Sequence, residues 1–299
     1  MPIGGVGFNP DPDSLLERIV SWAQADGGVH ACLLLGSRAR PDRPADRWSD
    51  TDLILVHDDP EGLLADPAWP ARFGSVAITF LEETMLSLRE RRVLYTDGTD
   101  LDVVPMSRER MLQHLDDPHA LLVLARGHQV LVDKIAVFAG LDDRIARAQA
   151  AVTSAPGTPD PAAFANLVND FWYHAVWTAR KLRRGELWVA RSCIDGHMKR
   201  LLLRVLEWQA DLTVASTDHW FDGRFLEQWA EPSTLTALRD SFAHYDPYDV
   251  ARALEATMDL FRRLANDLAV RLELPYPNAA DEAATRLVTE VLQPVQAAG

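Results

Sequence analysis

Two apolar runs separated by a polar loop constrain the fold of this chain more than any other stretch. The first run leads into Gly36-Ser37, and the second follows directly on Asp50 and Asp52. Residues two apart on a strand point to the same face, so we expect the two carboxylates to form a pair. A divalent cation stabilises such a pair, and a Gly-Ser turn on a neighbouring strand offers N–H groups and a hydroxyl to phosphate. The stretch therefore predicts chemistry on a nucleotide.

A third acid, Asp102, interrupts the apolar sequence Leu-Asp-Val-Val. A carboxylate inside an apolar strand is costly unless it is paired or bound to metal. If its strand lies beside that of Asp52, three carboxylates converge, which suits two-metal catalysis of phosphoryl or nucleotidyl transfer. The alternative is that Asp102 ends a hairpin and pairs with an arginine. We favour the functional interpretation because the whole pattern is less common than an isolated pair of acids.

Apolar runs bounded by turn residues predict strands throughout the first half of the chain. They are Val29–Leu35, Asp52–His57, Val76–Phe80, a hairpin over Arg92–Val104, and an edge strand or extended connection at His128–Val132. Asp97-Gly98 favours a two-residue type I′ turn in the hairpin. Helical patterns cover Ser14–Ala25 (opened by a capping box at Ser14–Glu17), Pro60–Asp66, Glu82–Arg91 and Ser107–Leu115.

A stretch rich in Ala, Pro, Thr, Ser and Gly predicts a linker at 152–161. It separates a domain at 1–151 from a helical domain at 162–299, in which strand signals are lacking. The helical patterns there are Pro161–Arg184, Leu187–Ala210, Phe221–Ala230, Ser233–Phe242, Pro247–Leu272 and Asn278–Gln296. The expected fold class is therefore a mixed α/β domain followed by an all-α helical bundle.

The charge balance narrows the class of partner. With 30 basic and 44 acidic residues, the net charge is −14, which disfavours nucleic acid and favours a small cationic ligand. No apolar run is long enough to span a bilayer, so we expect no membrane partner. Cys32 and Cys193 lie far apart and suit a reducing cytoplasm better than a disulfide framework.

These motifs resemble the nucleotidyltransferase superfamily, and within it the aminoglycoside 6-adenylyltransferases, also called streptomycin adenylyltransferases. The similarity lies in Leu-Gly-Ser-Arg, in Trp-Ser-Asp-Thr-Asp-Leu, and in Asp97-Gly98-x-x-Leu-Asp102, and it continues in Asn-Asp170-Phe-Trp and Gly-Glu186-Leu. The chain departs from the family at Thr79–Glu83, where relatives often carry Gln-x-Pro-Glu. It also departs at Asp170, where they usually carry Glu, and at Asp195 and His197 on the second helix of the bundle.

The resemblance implies an N-terminal nucleotidyltransferase domain with a mixed sheet and flanking helices, followed by a helical acceptor-binding domain. It implies transfer of AMP from ATP to a hydroxyl of an aminoglycoside, most naturally streptomycin, with release of pyrophosphate. Asp50, Asp52 and Asp102 would hold two Mg²⁺ ions, and Asp102 would also serve as general base. Residues assigned to the nucleotide are Gly36, Ser37, Arg38 and Lys181. For Arg38, ion pairing with Asp42 or Asp46 is the alternative.

One stripe of the first bundle helix carries the residues that we assign to the acceptor. Asp170, Tyr173, Trp177 and Lys181 recur at spacings of three and four, apart from the apolar stripe that contains Phe171. The resemblance implies that Asp170, Tyr173, Trp177 and Glu186 bind the cationic antibiotic, with Lys181 facing the phosphates. The alternative is a solvated helix face with unrelated ion pairs.

Two other functions stay open from the sequence. One is the same chemistry on another acceptor: a different aminoglycoside, a lincosamide or a protein hydroxyl. The other is a nucleotide-binding regulatory module without transferase activity. The expected state is a cytoplasmic monomer or homodimer.

Overall fold

The computed structural model describes residues 9–40, 45–84, 87–151, 158–213 and 222–296. The chain divides into two compact units, Met1–Thr153 and Ser154–Gly299. Residues 152–157 of the predicted linker lie outside the described part. Within the described part, no helix combines the length and apolar character that crossing a membrane requires.

The first unit contains a mixed six-stranded sheet. The strands are β1 (Val29–Leu35), β2 (Asp52–His57), β3 (Val76–Glu83), β4 (Arg89–Tyr95), β5 (Asp100–Met106) and β6 (His128–Asp133). Their order is β3-β4-β5-β2-β1-β6; β2 and β5 are parallel, and the other neighbours are antiparallel. The sheet confirms the predicted fold class and the edge position of β6.

Helices cover both faces of this sheet because its central strands are apolar on both sides. The helices of this unit are α1 (Pro12–Ala25), α2 (Pro60–Ala65), α3 (Arg108–Asp116), α4 (Pro118–Leu124) and α5 (Leu141–Ala151). In β1, Cys32 and Leu34 join the core formed with α1, whereas Ala31 and Leu33 join the core formed with α3, α4 and α5. This alternation explains why the sequence of β1 is continuously apolar.

The helix predicted at Glu82–Arg91 is wrong. Glu82 and Glu83 end β3, and β4 begins at Arg89. Arg91, Val93 and Tyr95 are buried while the residues between them are partly exposed, which is the period-two pattern of a strand. Strand β4 pairs with β3 on one side and β5 on the other, and this pairing satisfies the hydrogen-bonding groups of its backbone. The segment is therefore extended, although its charged residues recur at helical spacing.

Two predicted local features also differ from the structure. The chain turns over three residues between Tyr95 and Thr99, and the Tyr95 N–H donates to the Thr99 carbonyl at 2.9 Å. Gly98 has φ 91°, whereas Asp97 lies outside the positive-φ region that a type I′ turn requires at both central residues. Helix α1 begins at Pro12 with Asp11 as its N-cap, because Asp11 accepts from the Ser14 N–H.

The second unit is helical in its described residues, as expected. Its helices are α6 (Pro161–Arg183), α7 (Leu187–Ser192), α8 (Lys199–Thr213), α9 (Leu226–Trp229), α10 (Pro232–Asp240), α11 (Pro247–Arg271) and α12 (Asn278–Gln296). A π-helical segment, Cys193–Met198, connects α7 and α8 where one continuous helix was expected. The predicted start of the next helix, Phe221, lies outside the described residues. On α6, Phe171 is buried and stacks on Phe261 of α11 at 3.6 Å between ring centroids.

Candidate active site

Three carboxylates converge at one end of the parallel pair β2 and β5. Asp52 lies opposite Asp102 in the register of the two strands, and Asp50 lies two residues before Asp52. One carboxylate oxygen from each of the three lies within 4.8 Å of the others. Strands β2 and β5 are therefore neighbours, as the predicted convergence of the three carboxylates required.

Gly36 brings the turn after β1 into contact with this carboxylate cluster. Leu35, the last residue of β1, pairs with Asp52, and Gly36 follows with φ 69°. A Cβ atom at position 36 would lie 2.4 Å from Oδ2 of Asp52. Both the backbone conformation and the close approach require glycine here.

Ser37 lies in the single 3₁₀ turn Gly36–Ala39 that continues from this point. Its hydroxyl oxygen is buried and has no hydrogen-bond partner among the residues that the structure describes. An unpaired buried hydroxyl is costly, and such groups in a protein usually have a functional explanation. A phosphate oxygen would supply the missing acceptor, so the position of Ser37 fits its predicted role.

Arg38 holds the loop that carries Asp50. Its Nε donates to the Asp50 carbonyl at 2.9 Å, and one terminal nitrogen donates to the carbonyls of Ser49 at 2.8 Å and Asp46 at 3.1 Å. The contact with Asp46 is thus to its backbone, and Asp42 lies outside the described residues. Phosphate binding by Arg38 stays a prediction.

Arg92 binds Asp102 and is a residue of this site that sequence reasoning missed. It lies directly across from Asp102 in the antiparallel pair β4 and β5. Nε donates to Oδ1 at 2.9 Å, and a terminal nitrogen donates to Oδ2 at 2.5 Å. A further nitrogen of Arg92 donates to Glu82 at 2.9 Å. The arginine pairing first considered as an alternative for Asp102 is therefore present together with the carboxylate cluster.

Burial and neighbouring negative charge raise the pKa values of Asp52 and Asp102. Burial, followed by the charges of Asp50 and Asp102, raises the pKa of Asp52 to about 8. Burial raises the pKa of Asp102 to about 6, although its hydrogen bonds with Arg92 act in the opposite direction. Such a cluster is a favourable place for a divalent cation, which removes the repulsion between the carboxylates.

Two further acids, Glu90 and Asp100, extend the negative region. Burial raises the pKa of each, and the nearby charge of Asp102 adds to the effect at Glu90. Asp100 lies two residues before Asp102 on β5, and Glu90 lies two residues before Arg92 on β4. Once β4 is recognised as a strand, the spacing of two residues predicts that Glu90 lies on the same face as Arg92 and Asp100 on the same face as Asp102.

The residues predicted to bind the acceptor all lie in the helical unit. Lys181 pairs with Glu186 at 2.8 Å, and its ammonium lies 5.2 Å from the centroid of the Trp177 ring. The hydrogen bond with Lys181 is the main cause that lowers the pKa of Glu186. Tyr173 is exposed, and Asp170 contacts two histidines. Their assignment to the acceptor, and that of Lys181 to the nucleotide, stay predictions.

Comparison with known sequences identifies the family. The sequence model of the streptomycin adenylyltransferase family matches residues 11–291. The chain belongs to this family. It is 22% identical to the aminoglycoside 6-adenylyltransferase of Campylobacter jejuni over 272 residues, which cover 87% of this chain and 89% of that protein. The resemblance noted in the sequence and the prediction of an adenylyltransferase enzyme are confirmed.

Two solved structures are also similar to this chain, both at low sequence identity. An aminoglycoside 6-adenyltransferase from Bacillus subtilis is 16% identical, with a TM-score of 0.46 over 93% of this chain and 97% of that chain. A nucleotidyltransferase-like protein from Exiguobacterium sibiricum is 11% identical, with a TM-score of 0.32 over 88% and 79% of the two chains. The family assignment depends on the sequence match and not on these two likenesses.

Proposed function

We propose that this chain transfers AMP from ATP to a hydroxyl group of an aminoglycoside, with streptomycin as the acceptor, and releases pyrophosphate. The observation that carries the proposal is the convergence of Asp50, Asp52 and Asp102 beside the turn of Ser37. Membership in the streptomycin adenylyltransferase family and the activity named for the Campylobacter jejuni relative support the acceptor class.

The carboxylate cluster fits Mg²⁺, which prefers oxygen ligands. Asp50, Asp52 and Asp102 would hold two such ions. The pKa of Asp52 is raised first by burial and then by the charges of Asp50 and Asp102, and a cation would oppose both effects. When bound, Mg²⁺ neutralises charge on the triphosphate and on the leaving pyrophosphate.

The turn after β1 holds the nucleotide. The Ser37 hydroxyl donates to a phosphate oxygen, which replaces the partner that it lacks, and backbone N–H groups of the turn do the same. Arg38 keeps the loop of Asp50 in place through its three carbonyl contacts. We assign Lys181 to the phosphates as well, since its ammonium has three donors and the contact with Glu186 uses one of them.

Asp102 accepts the proton of the attacking hydroxyl. A bond forms between the acceptor oxygen and the α-phosphorus, the bond from that phosphorus to pyrophosphate breaks, and the hydroxyl proton moves to a carboxylate oxygen of Asp102. Arg92 occupies one acceptor direction on each oxygen, and an ionised carboxylate offers about four in all. Burial favours proton acceptance, because it raises the pKa of Asp102 to about 6 in the metal-free protein, whereas a bound cation would act in the opposite direction.

The helical unit recognises the acceptor. Asp170 and Glu186 supply negative charge for the cationic groups of the antibiotic, and Tyr173 and Trp177 supply aromatic faces. Tyr173 has 66% of its surface exposed, so its ring is available without rearrangement. The net charge of −14 adds long-range attraction for a cation.

Pyrophosphate release tests the proposal directly. Purified protein with ATP, Mg²⁺ and streptomycin is expected to release pyrophosphate, and Asp50→Asn and Asp102→Asn are expected to abolish the release. Asp142→Asn is the matched control, because Asp142 is an exposed acid of the same unit and pairs with His128 at 3.0 Å. Undiminished turnover by Asp102→Asn would remove Asp102 from the mechanism.

A panel of acceptors separates the remaining possibilities. Release with another aminoglycoside, a lincosamide or a protein substrate, but not with streptomycin, would keep the chemistry and replace the acceptor. Binding of ATP without release for any acceptor would instead favour a regulatory module.

A further inference from the structure

A second cluster of metal-binding side chains lies in the helical unit. Asp170, His174 and His197 each offer one ligand atom, and these atoms lie within 4.8 Å of one another. The cluster has a different composition from the carboxylate site, since two of its three ligands are imidazoles.

Two elements of the helical unit build the cluster. Asp170 and His174 are separated by four residues on α6, so they lie on the same face one turn apart. His197 comes from the π-helical segment Cys193–Met198. Single π-helical turns occur frequently at functional sites. Here the segment directs His197 towards α6. The contacts described for its ring are those with Asp170 and His174.

The two imidazoles share a single oxygen. Oδ1 of Asp170 lies 2.6 Å from Nδ1 of His174 and 2.9 Å from Nε2 of His197, and the ring centroids are 4.1 Å apart. His174 Nδ1 also lies 3.0 Å from the Asp170 carbonyl oxygen. Two ring nitrogens directed at one carboxylate oxygen are arranged so that one cation can replace both N–H protons.

The cluster is accessible from solvent. The exposed fractions of the side chains are 31% for Asp170, 29% for His174 and 35% for His197. Partial burial keeps the side chains in defined orientations, while the exposed part leaves a path for an ion and open positions for water or a further ligand.

We propose that Asp170, His174 and His197 bind one divalent transition-metal ion, with Zn²⁺ or Co²⁺ preferred over Mg²⁺. Two imidazoles and one carboxylate form the ligand set that suits zinc and its neighbours, whereas Mg²⁺ prefers oxygen ligands. Each histidine binds as the neutral tautomer that carries its proton on the nitrogen facing away from the ion. The site is distinct from the carboxylate cluster, although the proposed function also assigns Asp170 to the acceptor, and its occupancy is measured without ATP or acceptor.

Titration with Co²⁺ tests the site in the full-length chain. The protein is first freed of metal, and Asp52→Asn is used as the background so that the carboxylate cluster contributes less. One equivalent of Co²⁺ is expected to give the visible absorption of a low-coordinate site, and excess Mg²⁺ is expected to leave it unchanged. His174→Gln and His197→Gln are each expected to weaken binding at least about 10-fold. Loss of a residue that only hydrogen-bonds to a metal ligand already weakens binding by about 10- to 100-fold, and loss of the ligand itself should cost at least as much.

His128→Gln is the matched control. His128 also pairs with one carboxylate, that of Asp142 at 3.0 Å, but belongs to no three-membered cluster among the described residues. Its substitution is expected to leave Co²⁺ affinity unchanged. Thermal unfolding without metal establishes that each variant is folded, and a Zn²⁺-dependent rise in Tm that disappears in His197→Gln gives a second readout. The same Co²⁺ spectrum in a variant with both histidines replaced, or no saturable binding in the parent, would overturn the proposal.

Discussion

The guanidinium of Arg92 contacts both carboxylate oxygens of Asp102, at 2.9 and 2.5 Å, from the directly opposite position on the neighbouring strand. The side chain of Asp102 is only 4% exposed. Bidentate binding between arginine and carboxylate restricts orientation as well as stabilising charge. Arg92 therefore restricts the direction in which Asp102 points, and it lowers the pKa of Asp102 below the value that burial alone would give.

Replacement of Arg92 by Gln is expected to shift the acid limb of the pH–kcat profile upwards. Hydrogen bonds and the charge of Arg92 lower the pKa of Asp102, so their removal moves it above its present value of about 6. We expect a shift of about one to two pH units, since a charged hydrogen bond contributes about 1.5–3 kcal/mol and one pKa unit corresponds to about 1.4 kcal/mol. Arg92→Lys should lie between the parent and Arg92→Gln, because it keeps the charge and loses the bidentate geometry.

Arg89→Gln provides the control for this measurement. Arg89 lies on the same strand and pairs with the exposed Glu61, away from the carboxylate cluster. Its substitution should leave the pH profile unchanged. A profile that is the same in Arg92→Gln and in the parent enzyme would show that Arg92 does not control the ionisation of Asp102.

Gly36→Ala is expected to reduce activity by about 100-fold, as for a displacement of about 1 Å at a catalytic group. The new methyl group would lie 2.4 Å from Oδ2 of Asp52 and would push the carboxylate aside. Gly140→Ala is a matched control, because Gly140 has φ 70° and no atom within 4 Å of the added carbon. Both variants should lose about 1–2 kcal/mol of unfolding free energy through the left-handed backbone. Urea unfolding measures this shared loss, and equal loss of activity in both would contradict the steric explanation.

Ser37→Ala is expected to weaken ATP binding about 10-fold while leaving the free energy of unfolding unchanged or slightly higher, since its buried hydroxyl has no partner to lose. Ser49→Ala is the comparison. The Ser49 hydroxyl accepts from the Asp46 N–H at 3.1 Å and donates to the Asp46 carboxylate at 3.0 Å, so its removal should destabilise the loop. Equilibrium ATP binding and thermal unfolding of both variants check the prediction. A destabilised Ser37→Ala with normal ATP affinity would assign Ser37 a structural role.

Local rules were sufficient to single out the three acids of the carboxylate cluster, but not to predict that they converge. The period-two rule predicts that Asp50 and Asp52 share a face, although β2 begins only at Asp52, and Asp102 needs a partner because its neighbours on the strand are apolar. Neither inference required knowledge of the whole sheet. The pairing of β2 with β5, which brings Asp102 opposite Asp52, was only a condition in the sequence analysis, and the structure shows it.

The contacts of Arg92 and His197 could not be predicted from local sequence patterns. The charges preceding Arg92 recur at helical spacing, and only the pairing of β4 with two neighbouring strands shows that the segment is extended. His197 faces α6 because a π-helical segment changes the rotation of the helix between α7 and α8. The apolar spacing of that region predicts a continuous helix, so it does not indicate where His197 points.

The stability of the metal-free protein is expected to fall as the pH rises towards 8. The folded-state pKa of Asp52 is about 8, above the ordinary value of 3.8, so the folded state binds more protons than the unfolded state between these pH values. Because stability falls with pH wherever the folded state binds more protons, the loss develops across this window and is complete above pH 8. Asp52→Asn removes the titrating group and should flatten this part of the curve.

Divalent metal should reverse the loss. Mg²⁺ or Mn²⁺ binds the ionised carboxylates, so its addition should raise Tm more at pH 8 than at pH 5.5. At a metal concentration of about 100 times Kd, binding adds about 2.7 kcal/mol to the free energy of unfolding. Thermal unfolding of the parent and of Asp52→Asn, each with EDTA and with Mg²⁺ at both pH values, measures the effect. An equal metal-dependent rise in the two proteins would place the ion elsewhere, because the carboxylate that links metal to pH is missing from the variant.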